Sequence, residues 1–446
     1  MYLKLTCAMG LFLIGLDRIG CWRVPVLSSI IVGVDIGTSF VHVVIGELKE
    51  HGGVEILAVA KNQSQGVRNG VIVNIEKAVS VIQETVETAE QIAGCDVKSC
   101  VTAIGGANIE SRDSRGMAVI STKEHTRRDI NANDVNTAIT AATSIYIAMD
   151  REFLHVIPKE YIVDGLRGFK DPIGTSATRL EVETHIVTAS KTGLHTLNQC
   201  FMRAGYDLIG QKCIMLKTLA ATKATLLGDE QELGSILIDM GGGTTDVLVL
   251  CNDAPICTAS IPIGSNYITN DISIVEGIPF DAAEKLKIES GCCWGELVAP
   301  DETVIIPGVG GRPPIECPRM ELCEIIQSRV VEIFSEVLKE VKKKSTVKKM
   351  SGSIVLTGGG ALLSGVVELA QAVFRTSAVR IGEPCNLGGI EEQYKSPEYA
   401  TAVGLVLENK NVAEVDESST RNSNSESKKS SFSLGNFVQR LVDTFF

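Results

Sequence analysis

Apolar residues fall in short strand-like runs near the start of the body of this chain. They recur at helical spacing further on and almost vanish between residues 408 and 431. Residues 30–34, 41–47 and 54–61 read as three strands. Over 76–93, Val79, Ile82, Val86, Ala89 and Ile92 share one face and predict a helix, and 101–104 reads as a strand ending in Gly105 and Gly106. A helix is predicted over 129–148, with Asn131 or Asn133 as its cap. Residues 155–163, 179–184 and 185–189 alternate as strands do, with a loop over 165–178 between them; His155 and His185 read as sheet residues, not ligands. Helices over 194–204 and 216–227 flank a strand over 206–214, and the strands 236–238 and 247–250 flank Gly241, Gly242 and Gly243. An amphipathic helix covers 280–288, and 305–314 reads as a proline–glycine loop. The long helix over 320–344 carries the stripe Leu322, Ile326, Val330, Ile333, Val337 and Val341. A strand then runs into Gly358, Gly359 and Gly360, followed by helices over 363–374 and from 397.

The two ends read differently from this body. Residues 408–431 collapse into Ser, Asn, Glu and Lys, too polar to bury a core, and predict a disordered linker reaching roughly 25–30 Å. Hydrophobicity returns from 432 to 446. Leu434, Phe437, Val438, Leu441, Val442, Phe445 and Phe446 fall on one helical face, and Asn436, Gln439, Arg440, Asp443 and Thr444 on the other. Such a helix lies in a membrane interface, docks on its own protein or binds a partner; membrane binding is the expectation. At the other end, 8–16 is an apolar run that mimics a signal-peptide core but is too short to span a bilayer. Residues 1–29 are read as an extension that need not belong to the native protein.

At 446 residues and 44% hydrophobic, the chain can bury large cores and should form two or more domains. A net charge of −12 argues against nucleic acid as the main partner. The thirteen cysteines include no CxxC pair and read as reduced, mostly buried thiols with no metal site.

Candidate chemistry sits on the glycines. Gly241, Gly242 and Gly243 let backbone N–H groups approach an anion without a Cβ in the way. Thr244 and Thr245 can add hydroxyl donors, and Asp239 ends the preceding strand where hydrated Mg²⁺ could be held. Glycine-rich hairpins often only turn a chain. Here the design occurs twice: strand, Asp35, Gly37, Thr38, Ser39, strand, about two hundred residues earlier. With Gly358, Gly359 and Gly360 as a third element, the pattern suggests two related halves clamping a nucleotide phosphate chain. This set, in this order, resembles the actin, heat-shock chaperone and sugar kinase superfamily of ATP-binding proteins.

Within that superfamily the chain resembles the FtsA family of bacterial cell-division proteins. The resemblance is carried by 33–39, 155–161, 232–246, 269–272, 310–314, 354–360 and 401–405, and by the layout of the tail. It implies an α/β, actin-like fold of two lobes with an inserted small α+β subdomain, then the linker and the amphipathic helix. ATP and Mg²⁺ would lie between the lobes, with Asp35 and Asp239 at the metal; Glu284 and Lys287, three apart on one helix face, read either as a surface ion pair or as contacts to the base and sugar. It also implies polymerisation on the cytoplasmic face of the cell membrane at the division site. Other division proteins would be recruited there, among them FtsZ, the tubulin-like division protein.

By the same analogy the first lobe (1A) covers 30–106, 192–214 and a closing helix over 385–407. The inserted subdomain (1C) covers 107–191, the second lobe (2A) 215–265 and 326–384, and subdomain 2B 266–325. The FtsZ tail would dock on 2B, with Arg312 and Arg319 as candidate contacts. Two departures stand out: Phe40 occupies a position where family members often have lysine, and Ser265 replaces a glycine after Gly264. Phosphate charge would then fall on backbone N–H groups and Mg²⁺. A metabolite kinase of the same superfamily would need a catalytic base, for which Asp246 is the candidate, and a polar substrate pocket that no motif here suggests. A chaperone ATPase would need a β-rich peptide-binding domain after 406, for which there is no room. The sequence points to no residue that positions an attacking water, and ATPase activity is expected to be weak at most.

Overall fold

Ile30–Ile36, Phe40–Leu48 and Val54–Gln63 fold as consecutive antiparallel strands, joined by tight turns. The computed structural model describes residues 30–49, 52–120, 127–209, 213–308, 310–311, 313–344, 352–385, 387–389 and 391–410. The extension over 1–29, the tail from Leu434 to Phe446 and Arg312 lie outside them, as does nearly all of the predicted linker. Strand Ser99–Ile104 adds parallel to Ile30–Ile36, and Ile214–Leu216 adds parallel to Ser99–Ile104. The second lobe repeats the plan. Ser235–Met240, Thr245–Cys251 and Ala254–Ile261 form the antiparallel set, and Ile354–Thr357 and Val379–Ile381 follow in parallel. Apart from the two-residue strands Asp207–Leu208 and Gly388–Gly389, which also pair in the first sheet, both sheets have the strand order third, second, first, fourth, fifth. The two halves expected from the repeated hairpin are two copies of one sheet topology.

Parallel strands need cover on both faces, which explains why their runs are apolar throughout rather than alternating. In the first lobe, Val32, Val34 and Val43 pack under Ile82 and Val86 of helix Ile75–Ala93 and Phe201 of helix Lys191–Ala204. The opposite face, with Ile31 and Val44, meets Ala220 and Ala224 of helix Lys217–Thr225 and Val403 and Val406 of helix Ala400–Glu408. Ala221 and Ala400 of the same two helices pack on Leu237 and Leu248 of the second sheet. A helix buried on all sides needs small apolar residues on all sides, and this pair forms the common floor of both lobes. They cross so closely that a Cβ on Gly404 would lie 1.8 Å from the Ala220 carbonyl oxygen. The far face of the second sheet carries Leu322, Ile326, Val330, Ile333 and Val337 of helix Arg319–Lys344.

The inserted module is a four-stranded sheet in the order Leu166–Phe169, Arg151–Val163, Arg179–Ser190, Ile109–Val119, covered by helix Ala132–Thr143. Asn131 caps that helix in a reciprocal box with Asp134. The helix starts later than predicted because Arg128–Asp129 pairs as a strand with Ser176–Ala177, which lies inside the predicted loop, and it ends at Thr143 rather than 148, where the Ser144 N–H turns back to Ala141 O. Strands 179–184 and 185–189 are one strand. The predicted loop at 305–314 is the turn of a hairpin, Thr303–Ile306 with Ile315–Pro318.

Although inserted in the first lobe, this module reaches the second. His185 Nδ1 lies 2.8 Å from Asp113 Oδ1, and its Nε2 lies 2.9 Å from Thr258 Oγ1 on the third strand of the second lobe. Ser111 Oγ and Lys344 Nζ both donate to the Thr258 carbonyl, at 3.1 and 3.2 Å. Across the sheet, Lys170 pairs with Asp253 at 2.5 Å. His155 Nε2 accepts from the Leu216 N–H at 2.9 Å. Both histidines are therefore structural, as their strand positions suggest.

One charge cluster ties the second lobe's edge together. Glu230 accepts from Arg380 Nε at 2.8 Å and from Ser353 Oγ at 2.6 Å. Burial alone would raise its pKa, but the bonds from Arg380, Ser353 and the Leu227 N–H win and bring it down to about 2. A folded pKa below the unfolded value stabilises above the latter and is lost as pH falls through the former. Glu230→Gln is expected to melt lower than wild type near neutral pH. The difference should shrink between about pH 4.5 and pH 2. Equal melting temperatures at neutral pH would show that the cluster contributes nothing.

Candidate functional site

Between the lobes lies a cleft of about 650 Å³, lined by Asp35, Gly37, Thr38 and Ser39 from one side and Asp239, Gly241, Gly242, Gly243 and Thr244 from the other. The two hairpins are closed by the same bond. Gly37 N–H donates to Phe40 O at 3.0 Å, and Gly241 N–H to Thr244 O at 2.9 Å. Their tips touch: a Cβ on Gly242 would lie 2.1 Å from Ser39 Oγ, and one on Gly243 would lie 2.6 Å from Thr38 Oγ1. Ser39 Oγ donates to Asn266 Oδ1 across the lobes at 3.0 Å. Gly358, Gly359 and Gly360 complete the wall. Gly358 adopts φ +81°, and a Cβ there would lie 2.3 Å from Asp239 Oδ1, so only glycine lets the third element meet that carboxylate.

Asp35 and Asp239 are buried, and both face the ammonium of Lys217. Lys217 Nζ lies 3.4 Å from Asp35 Oδ2 and 3.6 Å from Asp239 Oδ2. Burial pushes Asp239 up to about 6, helped by repulsion from Asp246 and Asp35 and opposed by Lys217. Burial would lower the lysine, but Asp239, Asp35 and Asp246 hold it above its ordinary range. Asp246 is raised by burial as well, while its oxygens accept from the Gly106 N–H at 3.3 Å and Thr244 Oγ1 at 3.2 Å. Asp239 Oδ2 is buried with no hydrogen bond of its own. Convergent carboxylates, an unbonded buried oxygen and glycine N–H groups are a donor set that fits a divalent cation and phosphate oxygens.

Glu284 and Lys287 also line the cleft. Lys287 Nζ donates to Glu284 Oε2 at 2.7 Å and Thr269 Oγ1 at 2.8 Å; burial lowers its pKa against the pull of Glu284. Thr245 is the exception among the predicted ligands. It does not line the cleft, and its hydroxyl donates to Ile263 O at 2.8 Å, because the strand alternation turns it inward. Arg319 sits half-buried in the cleft wall, bonded to Ser290 O at 2.9 Å and Glu302 at 2.8 Å. Phe40 has Lys61 Nζ 4.1 Å from its ring centre, supplied by the neighbouring strand and paired with Glu398. Ser265 starts helix Ser265–Glu276 and donates its hydroxyl to Gly241 O at 3.1 Å.

Lys217 escapes a reading built on glycines. Its signal is a single charge between the apolar run 214–216 and an alanine-rich buried helix.

Two lobes of one topology, closed on a cleft by paired Asp–Gly hairpins, define a protein of the actin-like ATPase fold. Among solved structures, the PilM–PilN type IV pilus biogenesis complex matches 84% of this chain and 97% of its own, at a TM-score of 0.60 and 15% identity. MreB5 of Spiroplasma citri bound to ADP matches 87% and 98%, at a TM-score of 0.51 and 13% identity. The family model for cell division protein FtsA matches residues 236–404, and the model for the SHS2 domain inserted in FtsA matches 106–188. Cell division protein FtsA of Borreliella burgdorferi is 43% identical over 380 residues, 85% of this chain and 90% of its own. The chain belongs to the FtsA family of bacterial cell-division proteins. Among the described residues no helix is long and apolar enough to cross a membrane.

Proposed function

We propose that this chain binds ATP with Mg²⁺ in the interlobe cleft, assembles with copies of itself on the cytoplasmic face of the membrane at the division site, and tethers FtsZ there. The observation that supports the nucleotide reading best is the convergence of one carboxylate from each lobe, Asp35 and Asp239, between glycine hairpins of matching geometry. These carboxylates would hold the metal, whose charge offsets that of the phosphates. The N–H groups of Thr38, Ser39, Gly242, Gly243 and Thr244 would face phosphate oxygens, while those of Gly37 and Gly241 close the two hairpins, with Gly358–Gly360 behind them. Glu284 and Lys287 would flank the sugar and base. Equilibrium titration of the full chain with Mg²⁺–ATP tests this, and saturable binding is expected. No binding would end the reading.

Membrane residence is assigned to the tail. Seven apolar side chains would each contribute about 1.5–3 kcal/mol on burial. Ordering the helix opposes that by about 1–2 kcal/mol per residue, and Asp443 offsets Arg440. One tail therefore binds weakly, and a filament displaying many binds by avidity. Assembly would thus govern membrane residence, and FtsZ would be held through residues 266–325. Replacing Phe437 and Leu441 together by Asp is expected to abolish co-sedimentation with anionic liposomes while ATP affinity stays unchanged. Co-sedimentation equal to wild type would show that the anchor lies elsewhere.

A further inference from the structure

Lys217 stands where local preferences oppose it. It is the first residue of helix Lys217–Thr225, and the positive end of a helix disfavours a cation. A lysine stem is long enough to reach water, yet this side chain is only 18% exposed and turns inward to carboxylates of both lobes. Gly105 makes room for it, since a Cβ there would lie 3.3 Å from Lys217 Cβ. A residue that breaks the rules of its own element and is compensated only at a site points to a role in that site.

The contacts also describe what kind of role. A permanent ion pair in a dry interior closes to hydrogen-bonding distance, about 2.7–2.9 Å. Here both separations are longer, and Asp239 Oδ2 is left without a hydrogen bond. Among the described residues the buried carboxylates of Asp35, Asp239 and Asp246 gather around this one ammonium, a surplus of anionic ligands that suits a divalent ion.

We propose that Lys217 is a built-in counter-cation: in the empty cleft its ammonium bridges the carboxylates of Asp35 and Asp239, and Mg²⁺–nucleotide takes those carboxylates over and turns the lysine toward the phosphates. This rests on the nucleotide reading above. The lysine holds the two lobes' carboxylates together when no ligand does so. Free Mg²⁺ alone then gains little by entering, because its position is covered by a charge that leaves only when phosphate offers a replacement.

Thermal melting with Mg²⁺ alone, without nucleotide, tests this. Wild type is expected to melt at the same temperature with and without millimolar Mg²⁺. Lys217→Met should melt roughly 5–10 °C lower and regain most of that loss on adding Mg²⁺ alone. Adding Asp239→Ala to Lys217→Met should remove the Mg²⁺ response. A saturable rise of wild type with Mg²⁺ alone would overturn the inference, and this measurement does not depend on the variant folding. A Lys217→Met protein that folds but shows no Mg²⁺ response would overturn it too. If wild type binds Mg²⁺–ATP in either of these cases, only the role of Lys217 falls. If wild type binds no Mg²⁺–ATP, the nucleotide reading falls and takes this inference with it.

Discussion

Asp239→Ala is expected to weaken Mg²⁺–ATP binding by about 10- to 100-fold while the empty protein melts within a few degrees of wild type. The two halves of that expectation have different causes. Asp239 would contribute one charged ligand to the metal, and losing a contact to a charged group costs about 1.5–3 kcal/mol. Within the protein the same carboxylate is buried, repelled by Asp246 and Asp35 and held by Lys217, which keeps Asp35 as a partner. Removing it takes away an attraction and two repulsions together. Wild-type affinity in an equilibrium titration would rule out the role. A collapse of the melting temperature would mean that Asp239 is a structural residue.

Gly404→Ala should cost about 3 kcal/mol or more, against the sign that helix propensity alone gives. Alanine is better than glycine inside a helix by about 1 kcal/mol. Here the added methyl would meet the Ala220 carbonyl oxygen at 1.8 Å and its carbon at 2.4 Å. Those are backbone atoms of a neighbouring helix, so no side chain can rotate away, and the two helices must separate. Since the pair packs against both sheets, the loss should appear as one cooperative destabilisation of the whole body in a denaturant titration. An alanine variant as stable as wild type would mean that the helices part at no cost.

How much of this was legible in the sequence follows from where the information sits. The Asp–Gly hairpins and helix Ile75–Ala93 announce themselves through local pattern, because apolar period and turn chemistry are set by residues near each other in the chain. Strand Ile109–Val119 went unseen. It lies at the edge of the inserted sheet, so it carries Glu110, Arg112, Asp113 and Arg115 and owes its strand state to pairing with Arg179–Ser190. Strand Ala254–Ile261 and the hairpin Thr303–Ile306 with Ile315–Pro318 were hidden for the same reason: a partner brought by the fold decides them. The helix predicted from 129 begins only at Ala132 because the pairing of Asp129 with Ser176 competes with its first turn. At the site, the glycines and Asp35 and Asp239 were readable from spacing. Lys217 was not, since nothing near it in sequence tells a buried lysine from a surface one.

The bond from His185 to Thr258 has a mechanical meaning. The inserted module grows from one lobe and is held to the other where His185 and Ser111 bond Thr258 of the second sheet and where Lys170 pairs with Asp253. A book clasped at one edge opens only by pivoting on the clasp or by breaking it. Any widening of the cleft must therefore either tilt the module as a pointer, magnifying a small rotation at its far rim, or unfasten it.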